Sequence, residues 1–479
     1  MGQSANAGAA LALNRFGLGP RAGSIAAIAQ DPRGALLAEL DRPGASLIDA
    51  KALPTSAQAF RTVFDANSER QARQIVATRQ QKELEKQRGA SMNMAKPMEQ
   101  GSTDAGAPAA ATVVPDPGRR IYLDEAQVRI DRALAAEIGF VDRLVWFWSN
   151  HFCISADKIQ SMSGAYEREA IRPHVLGRFR DMLQAVEAHP AMLFYLDNSA
   201  SIGPNSIAGI NRTRGLNENL AREILELHTL GVRTGYTQAD VLTFANAITG
   251  WTLIPVDNDP DHGGEFTFNR RLHEPGPKTI MDKAYPDSGI EQGRAVLDDL
   301  AMHPSTATHI AAKLVRHFIA DDLPQTLTER LSKAFLDTGG DLKGIAKVLV
   351  NSEEAWDMPR SKLKRPSEWV ISMVRAAGTP ADAARFTGGQ AILGEPLWRP
   401  AAPNGYADDE ASWIDGMGLR LDIANSYAEA VSARVDPRYV MDTVMASTVS
   451  PQTRQSVTRA ETRSQALALL FMSSDIQRR

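Results

Sequence analysis

The sequence predicts an all-α protein: a single large multi-helix domain with long functional-looking loops and one disordered insertion. Two observations carry this. Apolar residues recur at three- and four-residue spacings in segments such as IYLDEAQVRIDRALAAEIGFVDRLVWFW and DMLQAVEAHPAMLFYL, whereas strand-like alternation is hard to find. Composition agrees, since 43% hydrophobic and 23% charged residues over 479 positions describe an ordinary globular chain with ample material for a core.

Taken in order, residues 1–88 form an N-terminal helical part. Short apolar runs there alternate with Pro and Gly and lead into SERQARQIVATRQQKELEKQR, rich in strong helix formers and free of Pro and Gly, which predicts a long exposed helix. From 89 to 118 the composition shifts to Ala, Gly, Pro, Met, Ser and Thr, too poor in bulky apolar residues to offset its ordering entropy, and a flexible low-complexity insertion is expected. Residues 119–479 are the main helical domain, expected to form one fold with 1–88. Loops are marked by Pro and Gly near Gly203 and Pro204, from Pro255 to Asp287 and from Gly394 to Gly418. Loops this long inside a domain tend to be functional or disordered.

The formal charge of -4 gives no global reason to expect nucleic acid, whose phosphates are held by clustered Lys and Arg. Cys153 is the one cysteine, so no internal disulfide forms. No apolar run is long enough to span a membrane, and the opening MGQSANAGAALALNRFGLGP lacks a basic region followed by an apolar one, so a cytoplasmic location is expected. Walker, GxGxxG, GxSxG, HExxH and paired-cysteine signatures are absent.

Four segments resemble a bacterial protein family known as domain of unknown function eighteen-hundred. They are LNRFGLGP (Leu13–Pro20), RLVWFWSNHF (Arg143–Phe152), NENLAREILELHTLGVRTGYTQADVLTFANAITGW (Asn217–Trp251), and a late set comprising HEPGPK (His273–Lys278), HPSTATHIAAKLVRHFIADDLP (His303–Pro324) and KLKRPSEWV (Lys362–Val370). The third is the most specific. Two departures stand in the late loop, where Glu395 replaces the family's usual Gln, and Gly405 with Tyr406 its usual Gly-Trp. The resemblance implies a helical fold and a bacterial origin, and no activity. Members are often encoded beside a second family, fifteen-hundred-and-one, similar to exported phosphatases and sulfatases. Such a protein is therefore the expected partner, and a periplasmic or envelope-associated location through that partner is the alternative to the cytoplasm.

On a helix at 100° per residue, Asn219, Glu223 and Glu226 fall within an arc of about 60°, with Arg222 beside them. A bland reading makes this a solvated face with an Arg222–Glu226 ion pair. The functional reading makes Glu223 and Glu226 an acid–base pair, because a carboxylate beside another carboxylate in a cleft gains a raised pKa. His228 falls on the apolar side and reads as a hydrogen-bonded core histidine. Trp148 is a candidate stacking platform, Asn150 a ligand contact and His151 a proton carrier or metal ligand, against the alternative that the tryptophans are core and His151 ends a helix. His273, with Glu274 and Lys278 in a Gly- and Pro-rich loop, is a further candidate for chemistry. Tyr236 and Trp251 complete the binding set. His151, Glu226 and His273 are the conceivable ligands for a divalent metal, although no metal-binding spacing supports them. His309 and His317 read as core or surface, and Lys362, Lys364 and Arg365 as a solvated helix start. These assignments give an enzyme, hydrolase or lyase, acting on a glycan or other envelope-associated polymer. The alternative is a non-catalytic partner or maturation factor of the phosphatase-like neighbour.

Overall fold

The N-terminal helix Gly2–Arg15 owes its place to small residues: Ala9, Ala12 and Leu13 are sealed, and the chain leaves the helix through Phe16 and Leu18, also buried. Gly19 follows at φ +91, and a Cβ there would lie 2.6 Å from the Ser372 hydroxyl, so only glycine lets this segment lie against the helix Pro366–Ala377. Arg15 is fully buried and donates to the carbonyls of Ala355, Met358 and Pro359 at 2.6, 2.9 and 2.8 Å. The computed structural model describes residues 2–92, 116–210 and 215–479. One continuous apolar core draws on residues from both sides of the insertion.

Helices dominate. The helix Ser56–Met92 starts against the core, and its residues from 67 to 87 are exposed all round, as its charged composition predicts. Of the expected insertion, 93–115 lie outside the described residues, Gly89 to Met92 finish this helix, and Pro117 and Gly118 begin the helix Pro117–Ala135. Among the described residues, four three-residue strands form two antiparallel hairpins, Trp251–Leu253 with Phe266–Phe268 and Lys278–Ile280 with Lys283–Tyr285. The long loop predicted from Pro255 to Asp287 is therefore partly ordered by backbone pairing.

The apolar helix Phe140–His151 runs through the centre with 11 of its residues buried. Two ionic networks fix its neighbours. Arg143 pairs with Glu368 at 2.9 Å and Glu368 with Arg479 at 3.1 Å, Asp408 accepts a hydrogen bond from the neutral His317 ring at 2.7 Å, and Arg365 bridges Asp408 and Glu395. On the other side Glu167 accepts from Arg129, Arg172, Ser149 and the Trp398 indole. Arg365, read from sequence as part of a solvated helix start, is buried in the first network, and Lys362 and Lys364 are buried beside it. Ion pairs of this kind add little net stability over apolar packing but cost several kcal/mol when one partner is removed. No helix of the described residues is long and apolar enough to cross a membrane.

Candidate acid–base site

The segment from Asn219 does not continue as a regular α-helix. After Asn219–Glu223 the backbone widens to a π turn over Ile224–Thr229, with Leu230 N–H donating to the Leu225 carbonyl at 3.1 Å and the Thr229 hydroxyl to the Ile224 carbonyl at 2.6 Å. Insertions of this sort recur at functional sites. The turn carries His228 to Glu187, where Nδ1 donates to the carboxylate at 2.8 Å with both side chains sealed from solvent. Two histidines from other elements satisfy the carbonyls of the widened turn. His151 Nε2 donates to the His228 carbonyl at 3.1 Å, and His309 Nδ1 to the Thr229 carbonyl at 2.8 Å.

Glu223 is left half-buried with no hydrogen-bond or ion-pair partner among the described residues. Burial raises its carboxyl above the usual range; His228 opposes this, Glu226 adds to it and Arg222 opposes it. The Tyr236 phenol is raised by burial first and by the Glu226 charge second. Tyr195, at the end of the helix Pro190–Tyr195, is raised by burial first and then by Cys153 and Glu223. Burial pushes the Cys153 thiol up to about 12, so it stays protonated.

On the helix Pro304–Phe318, Lys313 lies one turn beyond His309. Burial lowers its ammonium pKa, with Asp408 and Cys153 opposing. The same charge acts on His151 and His309, both already held neutral by burial, His309 down to about 4. Reading the sequence missed Lys313, His309 and Tyr195. A usable signal existed in the polar line His309, Lys313, His317 at four-residue spacing beside an apolar stripe.

Several expected site residues take structural roles instead. Trp148 is 1% exposed, wedged among Phe147, Phe152 and Phe179, and offers no ring face to a ligand. Both ends of the Asn150 amide are used by the Tyr406 backbone, donating to its carbonyl at 2.9 Å and accepting its N–H at 2.8 Å. His273 is buried, its Nδ1 donating to the Thr249 carbonyl at 2.9 Å, and the Lys278 ammonium caps the carbonyls of Glu274, Pro275 and Gly276. Trp251 is sealed against Phe266 and Gly293. Asn219 is exposed, and Arg222 pairs with Glu218 and Gln238 rather than Glu226. The π turn explains the last difference, because it removes Glu226 from the i, i+4 position that a regular helix would give it.

Among the described residues no three His, Cys, Asp or Glu side chains are grouped as metal ligands, so His151, Glu226 and His273 are not brought together as a set. Glu223 and Glu226 lie three residues apart at the turn, and the Glu223 charge acts on Tyr195 and Cys153 and the Glu226 charge on Tyr236.

This is a mainly helical protein built around a π turn with a half-buried, unpaired carboxyl. The chain belongs to the protein family of unknown function DUF1800, whose model matches residues 11–478. No curated protein and no solved structure matches the chain.

Proposed function

We propose that the chain is an enzyme, a hydrolase acting on a glycan or other envelope-associated polymer, with Glu223 and Glu226 as its acid–base pair. The observation that carries this is the unpartnered, half-buried Glu223 carboxyl, with Glu226 three residues further along the same segment. Two carboxyls in unlike environments divide the labour of glycoside hydrolysis. Glu223, whose charging burial opposes, is the acid that donates to the leaving glycosidic oxygen. Glu226 takes a proton from the attacking water. Elimination by a lyase has less support, because Asn150 is committed to Tyr406 and the His151 Nε2 proton to a carbonyl.

The test is a screen of purified protein against polysaccharides and phosphoesters, with bound metal measured in the same preparation and Glu226→Gln as control. Turnover of a polysaccharide that Glu226→Gln loses while keeping its fold supports the reading. No turnover by either protein counts against it.

The second reading is a non-catalytic partner of an exported phosphatase- or sulfatase-like protein. It is favoured by the helix Ser56–Met92, which presents Ile75, Val76 and Leu84 to solvent. Near-stoichiometric recovery of such a protein in a pull-down, lost on deletion of residues 67–87, would favour this reading over catalysis.

A further inference from the structure

Under the late loop that carries Glu395 and Tyr406 lies a cavity of about 50 Å³, whose lining includes neither Glu223 nor Glu226. That is room for roughly three to five water molecules, or for a small organic acid. Ser149, Pro396 and Tyr406 line it and are only partly buried, so the cavity reaches the surface there.

Arg129, on the helix Pro117–Ala135, forms part of the wall and is 7% exposed. Its Nε donates to the two Glu167 oxygens at 3.1 and 2.9 Å. The guanidinium carbon lies 4.4 Å from the centre of the Trp146 ring and 5.7 Å from that of Trp398, whose indole is itself tied to Glu167. Nη1 and Nη2 make no hydrogen bond among the described residues, and neither atom is sealed. A fork of N–H donors, fixed by two indoles and a carboxylate, is thus unspent at the cavity wall. Gln390 lines the same cavity at 1% exposure, and its amide makes no hydrogen bond among the described residues.

Charge points the same way. Ion pairs link Arg129, Arg132 and Arg172 to Glu167 and Asp142, three cations to two anions, which leaves one positive charge over. The network that brings Arg365 to the cavity is balanced, with Arg143, Arg365 and Arg479 set against Glu368, Glu395 and Asp408. A planar fork with a spare positive charge matches a carboxylate, whose two oxygens take parallel bonds. A dianion would bring its second charge toward Glu395, which also lines the cavity. Ile154, Pro396 and Leu397 in the wall suit a short carbon chain.

We infer that this cavity binds a small monocarboxylate, with its oxygens on Arg129 Nη1 and Nη2 and the Gln390 amide beside them. The site stands apart from the chemistry proposed for Glu223. Losing a charge-assisted, two-pronged contact weakens binding by roughly tenfold or more.

The test is titration of the full chain with acetate, propionate and pyruvate, with propionamide as the neutral counterpart and inorganic phosphate as the competing anion. Binding is followed by indole fluorescence and by ligand-observed NMR. Wild type, Arg129→Lys and Gln390→Glu are compared after their folds are checked by circular dichroism and thermal melting. Arg129→Lys keeps a cation for Glu167 and lacks the fork, and Gln390→Glu sets a carboxylate against the ligand's own. The expected result is saturable binding of a monocarboxylate by the wild type, with propionamide and both variants weaker by about tenfold or more. Absence of saturable binding of all three acids overturns the inference. So does propionamide or phosphate binding as tightly as the best acid, or unchanged affinity in Arg129→Lys. If Arg129→Lys does not fold, Gln390→Glu decides by the same criterion.

Discussion

His151 donates its Nε2 proton to the backbone carbonyl of His228 across 3.1 Å, joining the end of the central helix to the π turn that follows Glu223 and contains Glu226. His309 does the same for the Thr229 carbonyl from a third element. Two segments far apart in sequence, WSNHF and LELHT, thus meet as donor and acceptor. A widened turn needs such outside donors, because buried carbonyls left unpaired cost free energy.

Replacing His151 with Phe keeps the ring's bulk and strands the His228 carbonyl. A loss of about 1–3 kcal/mol in urea unfolding is expected, the cost of one unmet buried group. Lost turnover at unchanged stability would instead make His151 a proton carrier.

The loop containing Gly405 and Tyr406 is fastened by Asn150. Asn150→Ala is expected to cost about 1–3 kcal/mol and to expose the loop to limited proteolysis. Gly405→Ala should be worse than an ordinary surface change. Its φ is +74, and the added Cβ would lie 2.4 Å from the Asn150 carbonyl oxygen. A Gly405→Ala protein melting at the wild-type temperature would refute this account of the loop.

Acid should unfold the protein in stages. The folded chain holds His317 down to about 3 and His309 down to about 4 from an ordinary 6.5, through burial first. Below pH 6.5 the unfolded state therefore binds more protons at these sites, and stability falls as the pH drops from 6.5 toward 3. For Glu368 burial acts upward, but Arg143 and Arg479 outweigh it and hold the carboxyl at about 2 against an ordinary 4.5. Its contribution is full above 4.5 and is lost as the pH falls toward 2. Thermal melts across this range should show the decline, and His317→Gln should flatten the part between 6.5 and 3. A melting temperature flat from pH 7 to 4 would contradict it.

Much of the fold was legible in the sequence because burial on a helix leaves a repeating trace. The spacing in RLVWFW and KLVRHF marks helices that are buried as expected, and the charged run after Ser68 marks an exposed one. The π turn leaves no such trace. A wheel at 100° per residue assumes the turn that this segment abandons, and so it paired Arg222 with Glu226 when Glu218 is the partner. Loop chemistry misled in a different way. His273 and Lys278 sit among Gly and Pro, yet their polar atoms serve backbone carbonyls that the irregular chain leaves open. Lys313 was hidden for the opposite reason, since a lysine on an amphipathic helix reads as solvent-facing unless the packing of other elements is known.

Glu223 has no partner to lose, so its replacement separates chemistry from folding. Glu223→Gln removes a carboxyl whose charging burial opposes, and at neutral pH it should leave stability unchanged or slightly raised. Carbon-13 NMR titration of the Glu223 carboxyl should give a pKa above the ordinary 4.5. A value at or below that would remove the basis for a general acid.

The most direct test of the central claim is release of reducing ends from a polysaccharide that the wild type cleaves, measured for the wild type and Glu223→Gln at equal folded concentration. The account predicts a fall in turnover of about 10²–10⁴-fold with the melting temperature maintained. Equal turnover by the two proteins would contradict it.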